Sequence, residues 1–99
     1  MAISNLRGKR VFITGAGSGI GEATALAFAR EGCAMFVSDL SLPSLKRLER
    51  SIAVEGVPCH CFALDVTDQL AFEALAERIT QNFGVPHIVI NNAGIGAHG

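Results

Sequence analysis

Tyrosine is absent from this 99-residue chain, so no phenol within it can serve as the proton acceptor of an acid–base step. Cysteine is scarce: three residues, an odd number with no paired framework, which fits a reducing compartment and not a disulfide scaffold. A cytoplasmic location is the expectation. No apolar run reaches the length of a membrane span, and the start, "MAISNLRGKR", lacks the apolar stretch of a secretory signal. Charge of either sign is also limited. A formal net charge of −1 gives no general attraction to nucleic acid or to an acidic membrane surface, so neither is expected as a partner. What the sequence does have is apolar content, 49% against 17% charged residues, which predicts one globular domain over residues 1–99.

Apolar and polar residues alternate in two rhythms. "RVFIT" (Arg10–Thr14) is a short β-rich run, followed by helix formers from Glu22 to Glu31 and a stop at Gly32. "CAMFVSD" (Cys33–Asp39) predicts a second strand. Leu42, Leu45, Leu48 and Ile52 then recur at helical spacing, with Ser41 as a candidate N-cap and Pro43 in the first turn. "CHCFALD" (Cys59–Asp65) predicts a third strand, and Thr67 is a candidate cap for a helix with Phe72, Leu75, Ala76, Ile79 and Phe83 on its apolar stripe. "HIVIN" (His87–Asn91) predicts a fourth strand. Strands apolar on both faces, alternating with helices, indicate an α/β fold with a doubly wound parallel sheet of Rossmann type, β-α-β-α-β-α-β. Right-handed crossovers put the first two helices on one face and the third on the other, giving strand order 3-2-1-4.

Between the first strand and first helix stands "TGAGSGIG" (Thr14–Gly21), with four glycines at alternate positions. A linker would need slack, but this stretch joins two packed elements. A helix start offers free N–H groups and partial positive charge, and glycines let a pyrophosphate approach the main chain. A P-loop would need a Gly-Lys-Ser/Thr ending, and no lysine occurs in Thr14–Arg30. The common G-x-G-x-x-G pattern fails as well, because Ile20 stands where its last glycine belongs. T-G-x-x-x-G-x-G fits, through Gly15, Gly19 and Gly21. Asp39 ends the second strand, where a carboxylate can accept hydrogen bonds from both adenosine ribose hydroxyls. It would repel a 2′-phosphate, at roughly 4 kcal/mol per unit-charge pair about 4 Å apart in an effective dielectric near ~20. Neither Ser18 nor Leu40 supplies a cation to receive that phosphate, so NAD is preferred over NADP.

With "LDVTD" at the end of the third strand and "NNAG" (Asn91–Gly94) at the end of the fourth, the sequence resembles the short-chain dehydrogenase/reductase family over Arg7–Gly94. The resemblance implies a nicotinamide cofactor, with Gly15, Ser18, Gly19, Ile20 and Gly21 at the pyrophosphate and Asp39 at the adenosine ribose. It further implies Asp65 and Val66 at the adenine, and Asn92 with Gly94 at the ribose nearer the nicotinamide. The family's catalysis uses a Tyr-x-x-x-Lys pair with an upstream serine, all after N-N-A-G, and this chain has no tyrosine. No catalytic residue is therefore assigned to it. The resemblance implies the cofactor-binding half of an enzyme that moves hydride between a cofactor and an alcohol or carbonyl substrate. It also implies a homo-oligomer in the full-length protein. Two rivals stand beside it: a non-catalytic NAD-binding module, and an S-adenosylmethionine-dependent methyltransferase, which shares the early β-α-β and an acid after the second strand.

Other candidates read as structure. Cys59 and Cys61 share a strand face while His60 points away, and C-x-C without a second cluster is a poor zinc pattern. Cys33 reads as core packing, and His87 and His98 as ordinary polar residues. Lys46, Arg47 and Arg50 form a solvated helix face. An apolar fourth strand at an open edge and a single helix on the second face predict that the isolated chain is marginal or insoluble.

Overall fold

The computed structural model describes residues 5–17 and 19–92. Four strands, β1 (Arg10–Thr14), β2 (Ala34–Asp39), β3 (Cys59–Ala63) and β4 (Ile88–Asn91), form one parallel sheet in the order β3-β2-β1-β4. Between them run α1 (Gly19–Arg30), α2 (Leu42–Ala53) and α3 (Gln69–Phe83). This is the doubly wound arrangement the apolar rhythm predicts.

The sheet's two faces carry different layers. On one, Val11, Ile13, Met35 and Val37 meet Ala25 and Ala29 of α1 and Leu45, Leu48 and Ile52 of α2. On the other, Phe12 and Phe36 meet Leu75 and Ile79 of α3, with Phe72 stacked on Phe12 at a centroid distance of 5.8 Å. Side chains alternate across a strand, so Val11 and Ile13 serve the first layer and Phe12 the second. Burial of each such large side chain contributes about 1.5–3 kcal/mol. β4 lies at the edge: Ile88 and Ile90 pack toward the first layer, while Val89 remains 51% exposed.

Several boundaries differ from the expectation. α1 begins at Gly19 rather than Glu22, which brings Gly19 and Gly21 into its first turn. β2 and β4 each start one residue later than expected, and β3 ends at Ala63, which leaves Leu64 and Asp65 beyond the strand. The cap of α3 is Asp68, not Thr67: its side chain accepts from Ala71 N–H at 3.0 Å. Thr67 is instead held by Asp65, as described below. Ser41 does cap α2, accepting from Ser44 N–H at 3.3 Å, with Pro43 in the first turn.

Candidate functional site

The carboxyl ends of β1, β2 and β4, with the loop after β3, converge on one end of the sheet, where an open α/β sheet receives ligands. β1 delivers the chain into the glycine segment with Thr14 buried. Gly15 and Gly19 take φ of 66° and 58°, a left-handed backbone that residues with a Cβ seldom adopt. They turn the chain sharply from strand into helix. Among the described residues, its chain neighbours and own helix backbone aside, no heavy atom lies within 4 Å of where a Cβ on Gly19 would be, so these residues leave the helix start open on that side. Ile20, 69% exposed, stands beside it.

Gly21 is buried for a different reason. A Cβ there would strike the Gly15 carbonyl oxygen and lie 2.7 Å from Asn92 Nδ2. Asn92, just past β4, therefore packs beneath the start of α1, which places three of the motif residues in one close-packed group. Thr14 adds to the frame, its hydroxyl donating to Asn91 Oδ1 at 2.7 Å.

Asp39 ends β2 with its carboxylate drawn toward this loop. Oδ2 accepts from Gly17 N–H at 2.9 Å and Oδ1 from Ser41 N–H at 3.1 Å. The backbone is tied as well, Ala16 N–H to the Ser38 carbonyl at 3.0 Å and Leu64 N–H to the Asp39 carbonyl at 3.1 Å. The glycine loop, the end of β2 and the segment after β3 are thus one hydrogen-bonded unit.

Asp65 is exposed and faces its own loop. Its Oδ1 accepts from the Thr67 hydroxyl at 2.6 Å and from Thr67 N–H at 2.9 Å. The hydroxyl bond first, and the amide second, hold its carboxyl below the usual carboxylate range. The carboxylate therefore stiffens the turn into α3. Val66 is half-buried against the Phe12–Phe36 layer. Ser18 and Gly94 lie outside the described residues, as does His98.

Gly15, Gly19, Gly21, Asp39 and Asn92 are thus brought to one end of the sheet. Gly17, Ser41 and Thr14 join them without having been singled out as site residues. Gly17 lies inside the quoted glycine stretch, and the alternation of glycines was its signal. Thr14 and Ser41 left only strand-end and cap signals.

The cysteines and His60 behave as packing. Cys33 is buried one residue before β2, its thiol donating to the Leu6 carbonyl at 3.3 Å. Cys59 and Cys61 both pack against the α1–α2 layer, and burial pushes the Cys59 thiol up to about 12. His60, on the opposite face, stacks on Phe36 at 5.0 Å. Among the described residues no group of three or more His, Cys, Asp or Glu is placed to hold a metal ion.

The family model for short chain dehydrogenase matches residues 9–99. The chain belongs to that family. It is 52% identical over 89 residues to "Probable oxidoreductase EphD" of Mycobacterium tuberculosis, covering 90% of this chain and 15% of that protein. It is 40% identical over 92 residues to the 3-oxoacyl-[acyl-carrier-protein] reductase FabG of Thermotoga maritima, covering 91% of this chain and 37% of the reductase. The crystal structure of NAD+-bound xylitol dehydrogenase superposes with a TM-score of 0.80 at 33% identity, over 85% of this chain and 32% of that one. The chain therefore spans well under half the length of these relatives, and its likeness to the xylitol dehydrogenase includes the fold described above. The parent family is one of oxidoreductases that use nicotinamide cofactors. Among the described residues no helix is long and apolar enough to cross a membrane.

Proposed function

We propose that residues 1–99 form the NAD-binding part of a short-chain oxidoreductase that transfers hydride between the cofactor and an alcohol or carbonyl substrate. The observation that carries this reading is Asp39. Its carboxylate closes β2 within hydrogen-bond reach of the glycine loop, and its two oxygens are fixed by two backbone amides. A carboxylate accepts about four hydrogen bonds, so both oxygens keep capacity for ribose hydroxyls. The same charge opposes a 2′-phosphate, which favours NAD over NADP. The segment also fits a diphosphate: two left-handed glycines turn the chain, and the described residues leave the N-terminus of α1 open above Gly19.

Gly15, Ser18, Gly19, Ile20 and Gly21 would hold the pyrophosphate and Asp39 the adenosine ribose. Asp65 and Val66 would lie at the adenine, and Asn92 and Gly94 at the ribose nearer the nicotinamide. The bound nicotinamide supplies the carbon that gives or takes hydride. This chain supplies binding and orientation, because without tyrosine it has no phenolic base, and alone it is inactive. In the intact protein we expect a homo-oligomer, in the cytoplasm, with no nucleic-acid or membrane partner.

Titration calorimetry with NAD, NADP and S-adenosylmethionine tests the proposal. Binding of NAD at least tenfold tighter than NADP, about 1.4 kcal/mol, is the expected result. Tighter binding of NADP overturns the role given to Asp39, and binding of S-adenosylmethionine alone overturns the cofactor assignment.

A further inference from the structure

Gly17 is buried, yet its φ does not fall in the left-handed region occupied by Gly15 and Gly19. Nothing in its backbone conformation calls for glycine. Space does. A Cβ at residue 17 would lie 2.9 Å from Asp39 Oδ2 and 2.9 Å from Ser44 Cβ. Real Cβ atoms do not approach other heavy atoms so closely, and the two obstacles differ in kind. Ser44 Cβ is fixed to the first turn of α2, which Ser41 caps, so it cannot swing aside. The carboxylate of Asp39 can rotate, so of the two it is the one that gives way, while Ser44 crowds a Cβ at residue 17 whatever stands at position 39.

We propose that Gly17 is a specificity-determining position coupled to Asp39, its missing side chain letting the acid dock on the loop amide in the pose that receives an adenosine ribose with free hydroxyls. The inference rests on the reading of Asp39 as the ribose ligand. The Gly17 N–H fixes Oδ2 and the Ser41 N–H fixes Oδ1, so the carboxylate plane is set before any ligand arrives. Preorganised acceptors lose less on binding than free ones. A side chain at position 17 turns the carboxylate out of that plane and removes the loop amide from its partner. Residue 17 thus acts through Asp39, as a positioning residue.

The test is a double-mutant cycle on the intact protein, with affinities for NAD and NADP measured by calorimetry. Gly17→Ala is expected to weaken NAD at least about tenfold, in line with the loss of a charge-assisted hydrogen bond. In an Asp39→Ser background the contact with Ser44 Cβ remains but no carboxylate is left to displace, so the same substitution is expected to weaken NAD by at least about threefold less than it does in the parent. Equal losses in both backgrounds overturn the coupling while leaving Asp39 as the ribose ligand. An Asp39→Ser protein that binds NAD as tightly as the parent removes the ribose reading, and the inference with it. A second measurement does not depend on how Gly17→Ala folds: the Gly17 amide proton, observed by NMR in the parent and in Asp39→Ser. A large upfield move with faster exchange supports the bond to Asp39, and an unchanged resonance overturns it.

Discussion

Thr14 donates its hydroxyl hydrogen to Asn91 Oδ1 across 2.7 Å, joining the carboxyl ends of β1 and β4. The two residues are also register partners in the sheet, so the side-chain bond extends the backbone pairing by one rung at the level where the ligand site begins. Thr14 is fully buried, and a hydroxyl there is costly to leave without an acceptor. Thr14→Val keeps the branched shape and deletes the donor. It is expected to lower stability by about 1–2 kcal/mol, read from urea denaturation. An unchanged midpoint and slope would show that the rung carries no energy.

Gly21 sits where α1 crosses the Gly15 carbonyl, and a methyl group there meets backbone and the Asn92 amide at once. The Asn92 amide is a side-chain end that can turn, but the Gly15 carbonyl is backbone and cannot, so α1 must shift away from the loop. Gly21→Ala is expected to weaken NAD by tenfold or more, and to cost stability in the ~1–3 kcal/mol range seen when close-packed sites are overfilled. Calorimetry and thermal unfolding on the same preparation check both effects. Since alanine normally favours a helix interior over glycine, a gain in stability would disprove the close packing.

His87 enters the fold as a hydrogen-bond acceptor. Arg10 N–H donates to its Nδ1 at 2.8 Å, while His87 N–H donates to the Arg10 carbonyl at 2.9 Å. Desolvation first, then the nearby Arg10 and Lys9 charges, hold its pKa below the ordinary value of 6.5. A group with a folded pKa below its unfolded one stabilises the fold through its neutral form. That contribution is complete above pH 6.5 and is lost as pH falls through the folded pKa. Thermal unfolding temperatures between about pH 5 and 7 should therefore decline more steeply for the parent than for His87→Gln. Parallel profiles would show that the imidazole does not sense its β1 partner.

Much of this architecture was legible because burial leaves a periodic trace. Val11 to Thr14 and Met35 to Ser38 are buried at every position, as expected of inner strands in a parallel sheet, and Leu45, Leu48 and Ile52 mark the inner face of α2. The start of α1 was hidden. Gly19 and Gly21 are poor helix formers by propensity, and the close approach of the Gly15 carbonyl and the Asn92 amide to Gly21 involves a residue from the far end of the sequence. The choice between Thr67 and Asp68 as a cap was equally open, since both residue types cap well and Asp65 decides it by holding Thr67. Asp39 could be placed at a strand end from its neighbours. That its carboxylate reaches Gly17 is a contact between residues far apart in sequence, which no local pattern records.

The thiols of β3 offer a test of the first layer. Cys59 faces the α1–α2 core, and burial is the largest cause of its pKa near 12. The thiolate, the reactive form, is then scarce at neutral pH. In the folded protein at pH 8, Cys59 should react with a disulfide reagent at least tenfold more slowly than in the unfolded chain, where about 8.5 is usual. Mass spectrometry of labelled peptides separates it from Cys61 and Cys33. Equal rates in both states would mean that β3 peels from the sheet on the time scale of labelling.

The exposed side of β4 is the last point where sequence and structure meet. Val89 pairs in register with Phe12 but, unlike it, remains 51% exposed, next to the free edge of the strand among the described residues. An apolar side chain beside unpaired backbone groups is a template for strand addition from another molecule. A lysine at that position keeps the stem over the sheet and sets its charge in water, where it opposes edge-to-edge pairing. Val89→Lys in this 99-residue chain is therefore expected to raise the soluble fraction and slow growth of light scattering, with circular dichroism unchanged. If the substituted chain aggregates as fast as the parent, β4 is not the edge through which copies associate, and the half-covered face beside α3 becomes the surface to alter next.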